Sequence, residues 1–119
     1  MKYMLLIKHE ESLRNKKMPQ ALMDAMGVFV GGGLESGVIK DTAGLKSTAS
    51  AKEVILHGGK MTVVDGPFTE SKELVGGFAI IDVPSDQEAL EWTRGFVDLH
   101  RIHWPECEVS CELRPFENM

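Results

Sequence analysis

The chain has 119 residues, of which 43% are hydrophobic and 26% are charged, and its formal net charge is -5. This length suits a single domain over residues 1–119, and the hydrophobic content is typical of a globular protein. The acidic balance argues against a nucleic-acid partner, which a basic surface would attract. No apolar run approaches the roughly 20 residues of a membrane span, and the first residues do not resemble a signal peptide. We therefore expect a cytoplasmic protein that does not bind membranes.

The first third of the chain predicts a strand and then a helix. Residues 2–8 form a short apolar run that ends in a charged cluster. Pro19 suits the first turn of a helix, and apolar residues then recur at helical spacing. The three glycines at 31–33 disfavour a helix, so this one either stops before them or continues to Ser36 with Gly37 as its cap. We favour continuation, in which case the glycines allow a close approach to the helix backbone.

The middle of the chain predicts short strands. Residues 38–39 and 44–46 are brief and bounded by turns, whereas residues 52–57 and 60–64 flank a Gly58-Gly59 pair. Two glycines between runs rich in β-branched residues indicate a two-residue hairpin turn.

The last third predicts a strand, a helix and a closing strand. Residues 74–83 are the most hydrophobic segment and predict a central strand that is buried on both faces. Ser85 and Glu88 form a capping box that opens a helix over residues 86–99. Residues 106–114 alternate between polar and apolar side chains, which predicts a strand with one buried face.

The two cysteines, Cys107 and Cys111, lie on the predicted apolar face of the closing strand. Residues four apart in a strand are too distant for a disulfide, so we expect two reduced thiols. His100 and His103 precede them and give the set the residue types of a zinc site. The alternation explains the cysteines as small apolar residues, so we expect no metal. A cation at the helix end suits the helix dipole, which explains His100.

The order of elements is β, α, a hairpin region, β, α, β. This order predicts a ferredoxin-like α+β fold, in which an antiparallel sheet carries both helices on one face. Apolar residues on the other sheet face would remain uncovered in a monomer. We therefore expect a homodimer in which two sheets pack face to face.

Three segments together resemble the YCII-related, or DGPF-domain, family: MKYMLLI, VVDGPFTESKELVGGFAIIDV and CELRPF. The resemblance covers nearly the whole chain. It implies a ferredoxin-like fold, a dimer of the α/β-barrel type and a pocket between sheet and helices. Some members of the family are suspected enzymes with a His–Asp pair, and others are encoded near, or fused to, extracytoplasmic-function sigma factors. Residues 24–27 of this chain lack the first-helix histidine of that pair. A histidine that serves here must come from elsewhere.

Asp65 of the Asp-Gly-Pro-Phe motif is the foremost candidate residue. It is either a turn residue whose carboxylate caps nearby N–H groups, or a general acid/base at a strand end. Lys72 or His103 would be its electrostatic partner. The remaining pocket candidates, which would bind the ligand, are Tyr3, Phe68, Glu70 and Trp92.

Three hypotheses remain open from the sequence. The first is a small-molecule-binding protein with lyase or isomerase chemistry that uses Asp65. The second is a non-catalytic regulator linked to sigma-factor transcription, and the third is a structural dimer whose motif only builds a turn. Of the other histidines, His9 follows the first strand, where function is common, and His57 adjoins the hairpin turn. The chain has no glycine-rich phosphate loop and no nucleophile elbow, so we expect no cofactor.

Overall fold

The computed structural model of the chain describes residues 1–10, 16–68 and 74–117. Within these ranges the chain forms six strands and two α-helices, and a short 3-10 turn, Thr48–Ser50, precedes the third strand. In chain order the elements are β1 (Lys2–His9), α1 (Gln20–Ser36), β2 (Ile39–Gly44), β3 (Lys52–His57), β4 (Lys60–Asp65), β5 (Leu74–Asp82), α2 (Asp86–His103) and β6 (Val109–Pro115).

Four strands form the main sheet in the order β2-β5-β1-β6, and every neighbouring pair is antiparallel. Strand β1 lies in the middle, where Leu5 pairs with Ala79 on one side and with Leu113 on the other. Two β–α–β units interleaved in this way define the ferredoxin-like α+β fold, and the prediction of fold class is confirmed. Neither described helix is long and apolar enough to cross a membrane.

The core lies between one face of this sheet and the two helices. Leu5 and Ile81 on the sheet, with Leu22 on α1, are almost fully buried. On the helical side, Phe29 of α1 packs its ring 4.8 Å from that of Trp92 in α2. The helix face of the sheet is thus the packed side of the domain.

The first helix continues through its glycines to Ser36, as predicted. Gly37 follows it in the left-handed conformation, with φ of 83°, and its N–H donates to the carbonyl of Leu34. Gly33 is the buried glycine: a Cβ there would lie 2.6 Å from Cδ1 of Ile39, at the start of β2. The expected close approach to the helix backbone therefore occurs at Gly33, whereas Gly31 and Gly32 face open space.

The second helix is one turn longer than predicted, because it continues past residue 99 to His103. The Ser85 hydroxyl accepts from the N–H of Glu88 at its start, which confirms the serine half of the capping box. The guanidinium of Arg101 in the last turn favours the extra turn, since a cation near a helix carboxyl end is stabilising. The closing strand consequently begins later than predicted, at Val109.

Strands β3 and β4 form a separate two-stranded sheet, which we call the arm (residues 52–65). Gly58 and Gly59 make its turn with φ of 58° and 75°, which confirms the predicted hairpin. Every residue of both strands is exposed. The radius of gyration is 16.1 Å, whereas a compact domain of this length has about 13–14 Å. The arm therefore stands away from the body.

The sheet face opposite the helices is only partly covered. Met4 pairs with Ile80 and Leu6 with Phe78 across the two central strands, and all four side chains are half-buried. The prediction that residues 74–83 are buried on both faces is therefore wrong for the single chain. Burial alternates along β5, because only one of its faces meets the helices.

Candidate functional site

The Asp-Gly-Pro-Phe motif closes the base of the arm. The Asp65 carboxylate forms an ion pair with Lys52 at 2.5 Å, and its side chain is 74% exposed. The Gly66 N–H donates to the carbonyl of Ala51 at 2.8 Å, and the Phe68 N–H donates to Oγ1 of Thr48 at 3.2 Å. A side chain at Gly66 would collide with the backbone carbonyl of Thr48, so only glycine fits there. The motif thus builds a turn at which the arm joins the body.

Three other residues singled out from the sequence, Tyr3, Trp92 and His103, lie in the core or the helix layer and not in this turn. Tyr3 is buried in the core, where its hydroxyl donates to the carboxylate of Asp86. Trp92 packs within the helix layer, and His103 is half-buried in the last turn of α2. Glu70 and Lys72 lie outside the described residues.

A cavity of about 360 Å³ lies where β1 ends, β5 begins and α2 ends; we call it the strand-end cavity. It lies between the sheet and the carboxyl end of α2, on the helix side. The described residues that line it are His9, Lys16, Met18, Gly44, Leu45, Gly76, His100, Trp104, Cys107 and Val109. Of the site residues predicted from the sequence, the described ones, Tyr3, Asp65, Phe68, Trp92 and His103, are not among them.

His9 lies on the helix side of the sheet, in alternation with Tyr3 and Leu5 along β1, and it faces an irregularity in the neighbouring strand β5. Ile7 pairs with Gly77 but Lys8 pairs with Val75, so Gly76 is an extra residue at a β-bulge. Bulges redirect side chains and are frequent beside active sites. The His9 ring lies directly over Gly76, where any Cβ would collide with its Nε2. Gly76 is therefore the residue that makes room for this imidazole.

Hydrogen bonding sets the tautomer of His9. Its Nδ1 lies 3.0 Å from the carbonyl oxygen of Glu10. A carbonyl only accepts, so Nδ1–H donates and the neutral ring carries a bare Nε2. That nitrogen is a proton acceptor on the Gly76 side of the ring.

His100 has the same arrangement on the opposite wall. Its Nδ1–H donates to the carbonyl of Phe96 at 3.1 Å, and the two rings meet edge to face at 5.1 Å. The residue is buried, and this burial lowers the pKa of the imidazole, against the opposing effect of the hydrogen bond to Phe96. The expectation of a cation that suits the helix dipole is therefore wrong for His100. Its Nε2 is a second bare nitrogen.

Trp104 and Cys107 complete the wall beyond the helix end. The Trp104 N–H donates to the carbonyl of His100, and the Cys107 N–H donates to the carbonyl of Trp104. These backbone bonds continue the chain from the end of α2 into the cavity wall, where Trp104 is buried. Burial, with a smaller effect of the nearby Glu108 carboxylate, raises the pKa of the Cys107 thiol, so the group stays protonated near neutral pH.

A second cavity of about 540 Å³ lies along the outer side of α2. Leu90, Val97 and Cys111 give it an apolar floor, and Arg101 at its edge is paired with Asp98 at 2.6 Å. Burial raises the pKa of Cys111 to about 11.

The zinc-type residues of the sequence are thus divided, with His100 and Cys107 in one cavity and Cys111 in the other. Both cysteines are free thiols. In the described part of the chain, no three histidine, cysteine or acidic side chains come together as a metal site would require.

Sequence reasoning did not predict that His9 and His100 line the same cavity. The available signal was the position of His9 at the end of the first strand, combined with the Gly76-Gly77 pair in the adjoining strand. Glycine pairs inside a strand mark bulges and close approaches.

A ferredoxin-like α+β domain with a histidine-lined cavity at the strand ends is the class of protein that these features define. The chain belongs to the YCII-related family, since the YCII-related domain matches residues 1–97. It is also 32% identical over 97 residues to an uncharacterised protein of Rhizobium meliloti (strain 1021), in a match that covers 79% of this chain and 78% of the relative.

Proposed function

We propose that the chain binds a small molecule in the strand-end cavity and moves a proton on it with His9 and His100. One observation carries this proposal: both imidazoles line one cavity, and each donates Nδ1–H to a backbone carbonyl, which leaves Nε2 of each neutral ring as the basic nitrogen. A base in a fixed tautomer and position is what general acid–base catalysis requires.

The proposed chemistry is that of an isomerase or lyase. Nε2 of one histidine takes a proton from a C–H next to a carbonyl, and the electron pair moves into the carbonyl. The imidazolium then returns the proton to a neighbouring carbon, or to a leaving group as that group departs. Lys16 also lines the cavity, and its ammonium would attract the resulting enolate oxygen.

Asp65 has a different role in this proposal. Its carboxylate is exposed and paired with Lys52, whereas a general base is useful within hydrogen-bond reach of the substrate. We therefore assign the proton transfer, first expected of Asp65, to the two imidazoles. Asp65 is left with the turn at the base of the arm.

Proton exchange in D2O tests the activity without a known substrate. A panel of small keto acids, β-keto acids and ketones would be incubated with the protein, and loss of the α-proton signal followed by NMR. We expect at least one compound to exchange faster with the wild type, and His9→Gln to slow that exchange by about 100-fold or more.

His57→Gln is the matched control, since His57 is exposed on the arm. It should exchange at the wild-type rate. The proposal fails if His9→Gln is as active as the wild type, or if no compound in the panel exchanges.

We also propose that the half-buried residues Met4, Leu6, Phe78 and Ile80 are the centre of a sheet-to-sheet homodimer. Their pairing makes one continuous apolar stripe on the face away from the helices.

The alternative function is a non-catalytic regulator, linked to transcription by an extracytoplasmic-function sigma factor. That alternative requires a docking surface and would survive loss of both histidines. The free thiols support a reducing, cytoplasmic location.

A further inference from the structure

One side of α2 alternates between apolar and arginine side chains, in the order Leu90, Arg94, Val97 and Arg101. Spacings of four, three and four residues place them on one side of the helix, along about 16 Å of its axis. All four line the second cavity, of about 540 Å³, which Cys111 of the edge strand β6 also lines. We call it the α2 cavity.

The floor of the α2 cavity is apolar and uncharged. Leu90 is 42% exposed, and Val97 and Cys111 are half-buried. Cys111 pairs with Ile7 in the register, which places its side chain on the helix side of the sheet. Because burial raises the pKa of Cys111 to about 11, the thiol is neutral at physiological pH. The floor therefore offers apolar surface that is still partly open to water.

The rim of the α2 cavity is positive. In the part of the chain that the structure describes, no carboxylate pairs with the exposed Arg94. Arg101 is paired at 2.6 Å with Asp98, which also lines the cavity. Two guanidinium groups against one carboxylate leave a charge of +1 here, although the chain as a whole has a net charge of -5. This cavity thus has the opposite sign to the rest of the molecule.

We propose that the α2 cavity binds a small amphiphilic carboxylate. Its apolar body lies against Leu90, Val97 and Cys111, and its carboxylate pairs with Arg94. The inference does not depend on the chemistry of the strand-end cavity, which is lined by other residues. The α2 cavity is on the helix side of the sheet, so the sheet-to-sheet homodimer proposed above leaves it open.

The charges of the cavity select a monoanion with an apolar body. The planar fork of a guanidinium matches the two oxygens of a carboxylate, and such charge-assisted pairs are the stronger hydrogen bonds. One uncompensated cation, Arg94, matches one negative charge. The apolar floor gains from each methylene group that it takes out of water. A neutral ligand would leave Arg94 unpaired, and a cationic one would meet a rim of its own sign.

NMR titration of the wild type with decanoate tests the position of the site. We expect the methyl signals of Leu90 and Val97 to shift as decanoate is added. The methyl signals of Val109, which lines the strand-end cavity, are the internal reference and should not move. This measurement does not depend on the folding of a variant.

Calorimetric titration with three probes tests the class of ligand. We expect a dissociation constant of about 100 μM or tighter for decanoate. Octanoate, with two fewer methylene groups, should bind about tenfold more weakly. Decyltrimethylammonium has the same apolar chain and a positive head, and should bind at least about tenfold more weakly than decanoate. Non-specific attraction to an acidic chain would instead favour this cation.

Two arginines give a matched pair of variants. Arg94→Gln removes the unpaired guanidinium of the rim. Arg114→Gln makes the same change on β6, where the register sets Arg114 opposite Met4 and so on the other face of the sheet. We expect Arg94→Gln to weaken decanoate binding about fivefold or more, and Arg114→Gln to change it less than about twofold.

Four results would overturn the inference. They are no binding of decanoate at about 1 mM, binding without shifts at the Leu90 and Val97 methyl groups, equal affinity for decanoate and decyltrimethylammonium, and equal losses in the Arg94 and Arg114 variants. Shifts at Val109 alone would place the carboxylate in the strand-end cavity.

Discussion

The body of the domain and the arm are built from similar residues but in opposite surroundings. In the body, β5 alternates between buried and half-buried positions, because one of its faces meets two helices. In the arm, β3 and β4 are as rich in valine, isoleucine and leucine, yet no position of either is buried. Composition thus predicts a strand in both places, but only tertiary packing decides which strand belongs to a core.

The two regions also divide the chemistry. The strand-end cavity contains three groups whose tautomer or pKa is set by their surroundings, His9, His100 and Cys107. The arm contains the family motif, whose aspartate is exposed and ion-paired. The family motif and the proposed proton-transfer groups therefore lie in different parts of the molecule.

The largest expected effect is loss of a core side chain. Ile81→Ala, at a fully buried position, should lower the free energy of unfolding by about 2–5 kcal/mol, since a cavity adds to the lost burial. Val63→Ala on the arm should cost about 0.5 kcal/mol or less at concentrations where the chain is monomeric. Urea denaturation checks both values. Similar losses in the two variants would show that the arm is packed like the body.

A change at the bulge should affect the site more than the fold. Gly76→Ala would push the His9 ring off its position, so proton exchange or ligand binding should fall by about tenfold or more. Gly44→Ala is the control, because Gly44 also lines the cavity but has open space at its Cβ position. Equal activity in the two variants would show that the position of the His9 ring does not matter for the activity.

The helix glycines test the close approach to β2. Gly33→Ala should destabilise the chain by about 1 kcal/mol or more, because the new methyl group meets the buried Ile39 side chain. Gly31→Ala should instead stabilise it, by up to about 1 kcal/mol, since alanine favours the helix and the position is open. Thermal unfolding of the two variants would reveal the opposite signs; the same sign in both would contradict the close approach.

Acid should destabilise the body through His100. Its pKa in the folded chain is lower than the ordinary value of 6.5, so the unfolded state binds more protons below that value. The contribution to stability is complete above pH 6.5 and is lost as the pH falls below it. The free energy of unfolding should therefore fall between pH 7.5 and about pH 5.5.

His100→Gln should weaken that dependence on pH, and the arm variant His57→Gln should retain it. Urea denaturation at several pH values measures the slope. A stability that is constant or rises toward pH 5.5 in the wild type would show that His100 is not buried as a neutral group.

The smallest expected effect is at the motif aspartate. Asp65→Asn should change the free energy of unfolding by no more than about 1 kcal/mol, because its ion pair with Lys52 is exposed. Ligand binding and proton exchange should remain at wild-type levels. A loss of activity in a folded Asp65→Asn protein would show that the functional site lies at the base of the arm and includes Asp65.

Much of the fold could be predicted from the sequence, because its signals are local. The Gly58-Gly59 turn, the Ser85 cap and the Gly37 helix end each depend on a few adjacent residues, and each was predicted correctly. The extra turn of α2 was missed because propensity alone does not set where a helix ends.

The candidate site was not predictable in the same way. The room for the His9 ring depends on Gly76, a bulge residue in a strand 65 or more residues away, and the neutral state of His100 depends on burial in the assembled helix layer. The Asp-Gly-Pro-Phe motif made Asp65 the foremost candidate in the sequence. Its exposure follows from the separation of the arm from the main sheet, which the motif does not reveal. Each of these is a product of tertiary packing.

The tautomers of the two imidazoles test the central claim most directly. Long-range proton–nitrogen NMR correlations on selectively labelled histidine distinguish a ring nitrogen that carries a proton from a bare one. At pH 7.5, we predict that His9 and His100 both carry the proton on Nδ1 and have a bare Nε2. A proton on Nε2 of either ring would contradict the claim that the strand-end cavity is lined by two available bases.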